Sequence, residues 1–400
     1  MKILFLSWEC PWPAHGGGAL RTFGLLKQLS EVYEIELIVL SENDLSDSQK
    51  AELQKYVSSL IRVPVQSVTQ RDRIRIFAHM FRYRMPYHCA LLDVSFQRAP
   101  EVLKHVYNFP SVIYASFGHW GTLVKGHKAS NWILDQHNAD VDFWRAYAAN
   151  ASNFRLKWAA MVNWRLAAAH FPGIYSSVGR VISVCEEDRQ LTLSIEPHAQ
   201  VEVIENGVDC AYYAPERSPR TGPPRILFTG TSAPRNVTAL RRFMHNVWPL
   251  IQREQPQAEL LVAGNFQPEA QIGFKKYDNM HFTGRVEDMR PYFNQSDVYI
   301  APFEETHGSK LKIAEAMAMG MAIVSTPQGI RGFSLIDGKS VSIAHSYEEF
   351  GNHVIRLLNN FELREQQGKA ARKAALSTID WGVLGKRLRG IIEETQEAVS

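Results

Sequence analysis

The sequence predicts an α/β protein with two domains, each built on a parallel β-sheet. Three observations support this prediction. An apolar strand at residues 3–8, a glycine loop, a helix and a second strand at residues 34–41 form a β-loop-α-β unit. The same plan returns at residues 225–264, where the strands read RILFTG and AELLVAG. Between the two halves, residues 214–224 (APERSPRTGPP) have the proline-rich, charged composition of a linker.

This linker sets the predicted domain boundaries. We expect an N-terminal Rossmann-like domain at residues 1–210 and a C-terminal one at residues 211–380. In open α/β sheets, ligands bind outside the carboxyl ends of the strands. The two sheets are therefore expected to face each other across a deep cleft that holds the ligands.

The composition is that of an ordinary globular protein. Of 400 residues, 45% are hydrophobic and 21% are charged, and a formal net charge of +3 is too small to indicate nucleic-acid binding. Cys10, Cys89, Cys185 and Cys210 lack metal-ligand spacing, so reduced thiols are predicted and a zinc site is not. The first apolar run is too short for a signal sequence, and no run reaches the roughly 18 residues of a membrane span. We expect a cytoplasmic protein, at most peripheral to the inner face of a membrane.

Three successive glycines, Gly16, Gly17 and Gly18, follow the first strand, and we predict a loop there with a helix beginning near Ala19. Glycines let a ligand approach the backbone, and the positive end of the helix points to the same place. A tight turn without a ligand is the alternative. A dinucleotide fingerprint would need glycine where the chain has Arg21, which disfavours an oxidoreductase.

Residues 62–84 combine arginines with apolar and aromatic residues. The arginines are Arg71, Arg73, Arg75, Arg82 and Arg84. The pattern predicts a basic amphipathic helix that lies on an anionic membrane or binds an acidic acceptor. A core-packed helix with a solvated face explains it equally well. The aromatic helix at residues 151–172 is instead expected to belong to the core.

Two more predicted strands, at residues 111–116 and 131–136, are followed by His119 and His137. Their place at the carboxyl ends of strands makes these histidines the best N-terminal candidates for touching substrate. A structural role is the alternative for each. The nearby Asp140 and Asp142 resemble a metal-binding pair, but residues two apart at a helix start do not face each other, so no metal is predicted.

In the second half, the stretch at residues 304–326 is the main candidate site. We predict a loop, then a helix (LKIAEAMAM), then an apolar strand past Gly320. Free backbone N–H groups near residues 308–312, together with Lys310 and Lys312, form a predicted anion site. Glu315, one turn inside the helix, can accept two hydrogen bonds from a ribose diol. A solvated helix start is the alternative.

Arg235 lies on the same predicted edge, in a loop at residues 231–236 after the first strand of this half. The helix that follows is predicted to run through VTALRRFMHNVWPLI. Three helices close the chain, at residues 347–360, 362–376 and 383–397.

Together these segments resemble retaining glycosyltransferase family 4, which has the two-domain GT-B fold. The resemblance spans nearly the whole chain. Its most specific motif is IAEAMAMG preceded by HGSK, and the second is VIENGVD before the linker. It implies transfer of a sugar from a nucleotide-diphosphate sugar, with UDP or GDP expected, to a hydroxyl of a saccharide or lipid-linked acceptor. Neither a cofactor nor a metal is implied, and the leaving phosphate helps to deprotonate the acceptor.

The resemblance also implies that the N-terminal domain binds the acceptor and the C-terminal domain binds the donor, and it implies roles for individual residues. Glu315 binds the donor ribose, the loop at Gly284 to Val286 meets the base, and the last helix, at about residues 381–400, crosses back to the first domain. The expected donor-binding residues are Gly16, Gly17, Gly18, Arg235, Asn236, Arg285, Val286, His307, Gly308, Ser309, Lys310, Leu311, Lys312 and Glu315. The expected catalytic residues are His119, His137, Arg235 and Lys310.

Two positions depart from the family pattern. The usual glutamate eight residues before Glu315 is His307, which puts the donor sugar in question. The arginine usual after the first glycine of the second domain is Thr231, so Arg235, Lys310 and Lys312 are left to supply positive charge. Bacterial polysaccharide or glycolipid synthesis is the family's commonest setting. A sugar-nucleotide epimerase of the same fold and a non-catalytic sugar-nucleotide-binding protein are the alternative functions.

Overall fold

The structure is a computed structural model of the chain. It describes residues 1–65, 70–150, 153–216, 222–304 and 311–399. The chain divides into two compact units. The first consists of Met1–Glu205 together with the residues from Leu384 onward, and the second is Asn206–Val383.

The first unit is organised around a seven-stranded sheet in which all neighbouring strands pair in parallel. The strands are β1 (Lys2–Ser7), β2 (Glu34–Ser41), β3 (Ser59–Pro64), β4 (Ile113–Ser116), β5 (Ala129–Asp135), β6 (Val178–Ser183) and β7 (Val201–Val203). Their order in the sheet is β3-β2-β1-β4-β5-β6-β7, so the winding direction reverses between β1 and β4. Such a reversal point is where open α/β sheets bind ligands.

Helices account for most of the remaining described residues of this unit. They are α1 (Gly17–Ser30), α2 (Asp47–Leu53), α3 (Gln70–Tyr83), α4 (Tyr87–Phe96), α5 (Pro100–Tyr107), α6 (Asp140–Asn150), α7 (Phe154–His170), α8 (Pro172–Tyr175) and α9 (Glu186–Ile195), with a 3₁₀ helix at Gly118–Val124. The central strands are apolar and almost fully buried, as expected of a parallel sheet covered on both faces.

The second unit repeats the plan with a six-stranded parallel sheet. Its strands are β8 (Arg225–Thr229), β9 (Glu259–Ala263), β10 (Met280–Phe282), β11 (Val298–Ala301), β12 (Ala322–Ser325) and β13 (Ser342–Ile343). The order β10-β9-β8-β11-β12-β13 places the reversal point between β8 and β11. The predicted α/β class with two parallel sheets is therefore confirmed.

The helices of this part of the chain are α10 (Pro234–Asn246), α11 (Trp248–Glu254), α12 (Pro268–Gln271), α13 (Arg290–Asn294), α14 (Leu311–Ala318), α15 (Tyr347–Asn359), α16 (Phe361–Thr378) and α17 (Trp381–Glu397), with a 3₁₀ helix at Ile272–Phe274. From Leu384 onward, α17 belongs to the first unit. There its buried face includes Leu384, Leu388 and Ile392.

Two elements near the start of the second unit differ from the prediction. The loop at residues 231–236 is shorter than predicted, because Pro234 opens α10, and Arg235 and Asn236 lie in the first turn of that helix. Proline suits this position since its missing N–H has no helical partner to lose. The predicted single helix is also two helices, α10 and α11, and Pro249 lies in the first turn of the second.

The prediction that the helix at residues 151–172 packs its aromatic residues in the core holds for Trp164 and is wrong for Phe154 and Trp158. Phe154 is 81% exposed and Trp158 is 55% exposed. The buried stripe of α7 instead includes Ala160, Asn163 and Ala167. Small side chains on one helix face allow close packing, and here they decide which face is buried.

Candidate functional site

At the carboxyl edge of the first sheet, aromatic rings and imidazoles converge around the reversal point. Trp8 follows β1, Phe117 and His119 follow β4, and His137 follows β5. The ring centroids of Trp8 and His119 are 4.6 Å apart, and those of Phe117 and His137 are 3.8 Å apart. The structure thus brings both sequence-predicted histidines to one edge of the sheet.

His137 is the more enclosed of the two histidines, with 7% of its side chain exposed. Its Nε2 lies 3.0 Å from Ser116 Oγ and 3.6 Å from Asp135 Oδ2. Burial lowers the pKa of His137, although the Asp135 carboxylate opposes the shift. The ring is therefore neutral near pH 7 and can exchange a hydrogen bond with a hydroxyl group.

His119 lies beside two residues that the sequence did not mark as partners, His88 and Asp140. Burial, reinforced by His88 and His137, lowers the pKa of His119 well below its ordinary value. His119 Nδ1 is 3.6 Å from Asp140 Oδ1, and Asp140 Oδ2 is buried without a hydrogen-bond partner. Burial raises the pKa of Asp140 to about 7. The cluster therefore offers the unsatisfied Asp140 Oδ2 to a ligand.

The backbone before His119 is strained at Phe117 and closely approached by Asp140 at Gly118. Phe117 has a φ of 88°, a conformation that residues other than glycine rarely adopt. Next to it, a Cβ on Gly118 would collide with the Asp140 carboxylate. Strained residues of this kind persist where the surrounding structure fixes them, and they concentrate at functional sites.

The glycine segment packs against the same cluster. α1 begins at Gly17, so Gly17 and Gly18 lie in its first turn and not in the predicted loop, whereas Gly16 is the N-cap. A Cβ on Gly18 would lie 2.8 Å from Phe117 Cζ and 3.3 Å from His137 Nδ1. Glycine at position 18 is thus required by crowding within the first unit. Its role toward the donor stays a prediction.

Glu9 also belongs to this cluster. A Cβ on Gly18 would lie 3.1 Å from Glu9 Oε1. Partial burial raises the pKa of Glu9. Sequence reasoning missed this residue, although its place directly after β1 was a usable signal. Trp120, by contrast, also follows β4 but is fully buried in the core.

A buried ion pair lies beneath this edge and connects α1 to β5. The Arg21 guanidinium donates hydrogen bonds to the Asp135 carboxylate at 2.7–3.1 Å and to the Glu205 carbonyl at 2.9 Å. The Tyr114 hydroxyl donates a further hydrogen bond to Asp135 at 2.7 Å. Burial alone would raise the pKa of Asp135, but Arg21 and His137 lower it to well below its ordinary value. Arg21 therefore has a structural role at the position where a dinucleotide fingerprint has glycine.

In the second unit, α14 carries the predicted donor-binding residues Leu311, Lys312 and Glu315. The described part of this helix starts at Leu311, and Glu315 lies about one turn after Lys312. Burial raises the pKa of Glu315 to about 7, while a hydrogen bond from Tyr213 and the charge of Lys312 oppose the shift. Tyr213 Oη lies 3.1 Å from Glu315 Oε1. This contact spans 102 residues and was not predicted.

Lys312 and Asn236, two predicted donor-binding residues, are in contact. Lys312 Nζ donates to Asn236 Oδ1 at 3.2 Å, and Asn236 Nδ2 donates to the Thr231 carbonyl at 3.0 Å. Asn236 is buried, whereas the neighbouring Arg235 is exposed. Asn236 thus fixes Lys312 at the carboxyl edge, and Arg235 presents its charge to solvent beside it.

The loop that was predicted to meet the base lies on the same edge. Gly284 has a φ of 71° and bridges to Gly264, and a Cβ on Gly264 would overlap the Gly230 carbonyl. Glycines after β8, β9 and β10 therefore pack backbone against backbone. Of the two predicted base contacts, Arg285 is exposed and Val286 is half-buried. His307, Gly308, Ser309 and Lys310 lie outside the described residues.

The predicted basic helix is α3, but the segment at residues 62–84 does not begin as a helix, because β3 extends to Pro64. The outer face of α3 exposes Ile74, Phe77 and Phe81, at 67%, 51% and 59%. Arg71, Arg73 and Arg82 are also exposed. None of the helices in the described ranges is both long and apolar enough to cross a bilayer.

Comparison with known protein families gives one match in the second unit. Residues 223–360 match the family model of glycosyl transferases group 1. Among curated proteins, an uncharacterised 44.6 kDa protein in the cps region of Klebsiella pneumoniae is 22% identical over 90% of this chain and 91% of its own length. A phosphatidyl-myo-inositol mannosyltransferase of Mycobacterium tuberculosis is 27% identical over 48% of this chain and 53% of its own length.

Solved structures resemble the whole chain. A sucrose-phosphate synthase from Thermosynechococcus elongatus superposes with a TM-score of 0.71 at 16% identity, over 100% of both chains. HepE from Anabaena, in complex with UDP and glucose, superposes with a TM-score of 0.65 at 13% identity, over 98% of this chain and 100% of its own. These likenesses show the GT-B fold. With the family match, they support a glycosyltransferase.

Proposed function

We propose that the protein is a retaining glycosyltransferase. It moves a sugar from a UDP- or GDP-sugar to a hydroxyl of a saccharide or lipid-linked acceptor, in bacterial polysaccharide or glycolipid synthesis. One observation carries the proposal: α14 places Lys312 and Glu315 on successive turns, inside the segment that matches the glycosyl transferases group 1 model.

The donor contacts follow from the chemistry of these groups. Lys312, with Arg235 beside it, supplies positive charge for a diphosphate, and the start of α14 adds backbone N–H groups. Glu315 accepts hydrogen bonds from the two ribose hydroxyls in its ionised form. Arg285 and Val286 contact the base, while His307 to Lys310 complete the diphosphate and sugar contacts.

The acceptor binds the cluster in the first unit. Aromatic rings such as Trp8 and Phe117 provide flat apolar surfaces for a sugar ring. The neutral His119 and His137 and the unpartnered Asp140 oxygen provide hydrogen-bond partners for its hydroxyls. We place His119 and His137 closest to the reacting hydroxyl, since His119 follows β4, which borders the reversal point, and His137 follows the neighbouring strand β5.

In the transfer, the bond between the anomeric carbon and the diphosphate oxygen breaks, and the acceptor oxygen forms a bond to that carbon from the same face. The leaving phosphate takes the proton of the acceptor hydroxyl. Cations and helix N–H groups that stabilise the growing phosphate charge lower the barrier to this departure. Arg235, Lys310 and Lys312 are proposed for that role, so we expect transfer to persist in the presence of EDTA.

Donor and acceptor panels test this function. UDP-, GDP- and ADP-sugars are first screened for the one that raises the melting temperature, since a ligand that binds only the folded state stabilises it. With that donor, Lys312→Ala and Glu315→Gln are each expected to reduce transfer at least about tenfold. Lys339→Ala, at an exposed lysine of the same unit, is the control. Full turnover in both site variants would contradict the proposal.

The same assay separates the alternatives. NMR of the product reports whether the anomeric configuration is retained. Release of an epimer without an acceptor would identify an epimerase of this fold, and donor binding with no turnover on any acceptor would identify a non-catalytic binding protein.

We further propose that α3 holds the protein at an anionic membrane where lipid-linked acceptors reside. Its face of Ile74, Phe77 and Phe81, flanked by exposed arginines, has the character of an interfacial helix. Each arginine near an anionic surface contributes about 1 kcal/mol.

Flotation with phosphatidylglycerol and phosphatidylcholine vesicles tests this surface. We expect wild-type protein to float only with the anionic vesicles and Phe77→Ser/Phe81→Ser to stay in solution. Phe361→Ser, at a phenylalanine of the second unit that is 65% exposed, is the matched control. Equal flotation of all three proteins would show that α3 is not the contact.

A further inference from the structure

The segment that follows the boundary between the two units is attached firmly to α14. Asp209 Oδ1 accepts hydrogen bonds from the N–H groups of Ala211 and Tyr212, at 3.1 and 2.8 Å. On α16, Arg372 donates to the carbonyls of Tyr213 and Ala318, the latter at the end of α14. A single arginine thus joins residues 209–213 to the helix that carries Lys312 and Glu315.

Tyr213 lies at the end of this segment and contacts Glu315. Its ring is half-buried and packs against Tyr212, with centroids 5.0 Å apart. Its hydroxyl donates to Glu315 Oε1. A carboxylate has about four acceptor positions on its two oxygens, so the contact leaves room for a ribose diol.

We propose that Tyr213 is a positioning residue for the donor. Its hydroxyl holds the Glu315 carboxylate in the orientation and the ionised form that accept the two ribose hydroxyls of a nucleoside diphosphate. This inference rests on the proposed function, because it assumes that Glu315 binds ribose. Phenylalanine at position 213 would fill the same space but would leave Glu315 without this hydrogen bond.

The ionisation of Glu315 depends on few described groups. Tyr213 faces it from residues 209–213, Lys312 from its own helix and Tyr299 from β11, while Arg372 lies on the adjoining helix α16. Burial holds the pKa of Glu315 at about 7, and the Tyr213 hydrogen bond keeps it from rising further. Since the ionised form binds ribose, affinity falls as the pH drops through 7. Without the hydroxyl, this fall begins at a higher pH.

Tyr213→Phe tests the proposal, with Tyr212→Phe as the matched control, because the Tyr212 hydroxyl points to Asp288 and not to Glu315. Calorimetric titrations use UDP or GDP, whichever stabilises the wild-type protein, and its 2′-deoxy analogue. At about pH 8, we expect Tyr213→Phe to weaken nucleotide binding roughly three- to tenfold and Tyr212→Phe to change it less than about twofold.

Two further readouts separate positioning from a general structural effect. The midpoint of the pH dependence of binding is expected to move upward in Tyr213→Phe only. The loss of affinity caused by the 2′-deoxy analogue is expected to be smaller in Tyr213→Phe than in wild type, because both changes act on the same hydrogen bonds.

The outcomes also distinguish this inference from the proposed function. If Glu315→Gln weakens binding while Tyr213→Phe leaves affinity and pH midpoint unchanged, the positioning role is wrong and the glycosyltransferase proposal stands. If neither nucleotide binds the wild type, or Glu315→Gln binds as well as wild type, both proposals fail. If replacing the nucleotide by its 2′-deoxy analogue costs the same affinity in Tyr213→Phe as in wild type, the positioning role alone is overturned.

Discussion

Asp140 and Glu315 are carboxyl groups, one in each unit, whose burial raises the pKa to about 7. Unfolded, such groups titrate near 4, so at neutral pH each costs the folded state free energy. Asp140 faces His119, whose lowered pKa leaves it neutral, and the charge of Lys312 offsets the burial of Glu315 only in part. A buried carboxyl that lowers stability is the expected compromise at a binding site, where stability is lost in exchange for function.

At this scale, we predict that Asp140→Asn makes the protein more stable and less active. Because the pKa of Asp140 is raised in the folded state, its contribution to the free energy of unfolding is fully present below about pH 4 and is lost as the pH rises through 7. The variant is therefore expected to match wild type near pH 4 and to exceed it by about 4 kcal/mol near pH 8, since each pKa unit is worth about 1.4 kcal/mol. Denaturant unfolding at the two pH values measures the difference. Asp47→Asn, at a fully exposed aspartate, is the control.

Site residues differed in how far the sequence could reveal them. Lys312 and Glu315 were predictable because a helix start and a spacing of three residues are local properties. The contact of Tyr213 with Glu315 was not, since it depends on tertiary packing across 102 residues. Asp140 was noticed only as a metal candidate, because burial without a partner is invisible in sequence.

Among the elements, α1 depends on a buried charge. Arg21 lies one turn inside the helix with its guanidinium enclosed, and Asp135 at the end of β5 is its counter-ion. Removing one member of a buried ion pair leaves the other charge without compensation, which costs more than removing both.

We accordingly predict that Asp135→Leu destabilises the protein by about 3–5 kcal/mol. The double variant Arg21→Met/Asp135→Leu is expected to recover part of this loss, because apolar side chains replace both charges. Chemical denaturation of the two single variants and the double variant measures the coupling. Additive losses would show that the pair is not coupled.

Strands and helices also differ in how well sequence predicts them. The strand at residues 34–41 matches β2 to the residue, because a run of branched apolar residues buried on both faces has few alternatives. In α7, the apolar residues surround the helix, so the buried face is chosen by where Ala160 and Ala167 pack closely. The early start of α10 follows from Pro234, whose preference for a first helical turn the prediction did not use.

At the scale of the whole molecule, the first unit is built from both ends of the chain. α17 buries Leu388 and Ile392 there, and it adds a salt bridge from Arg387 to Glu205 and a hydrogen bond from Arg389 to the Gln28 carbonyl. A Cβ on Gly385 would overlap Gln28, so the helix approaches α1 closely.

Truncation after Val383 is therefore expected to destabilise the first unit and to spare the second. Hydrogen exchange measured by mass spectrometry should show faster exchange in β1, β2 and α1, while β8, β11 and β12 keep their protection. Removal of only the last three residues, which follow α17, is the control. Uniformly faster exchange in both units would contradict this assignment.

At position 117, the backbone conformation and the side-chain contact favour different residue types. Its φ of 88° favours glycine, but its ring stacks on His137. In a saturation library at this codon, sorting for folded protein should therefore enrich glycine, whereas sorting for sugar transfer should keep an aromatic residue. If both selections enriched glycine, the Phe117 ring would have no effect on His137 that sugar transfer requires.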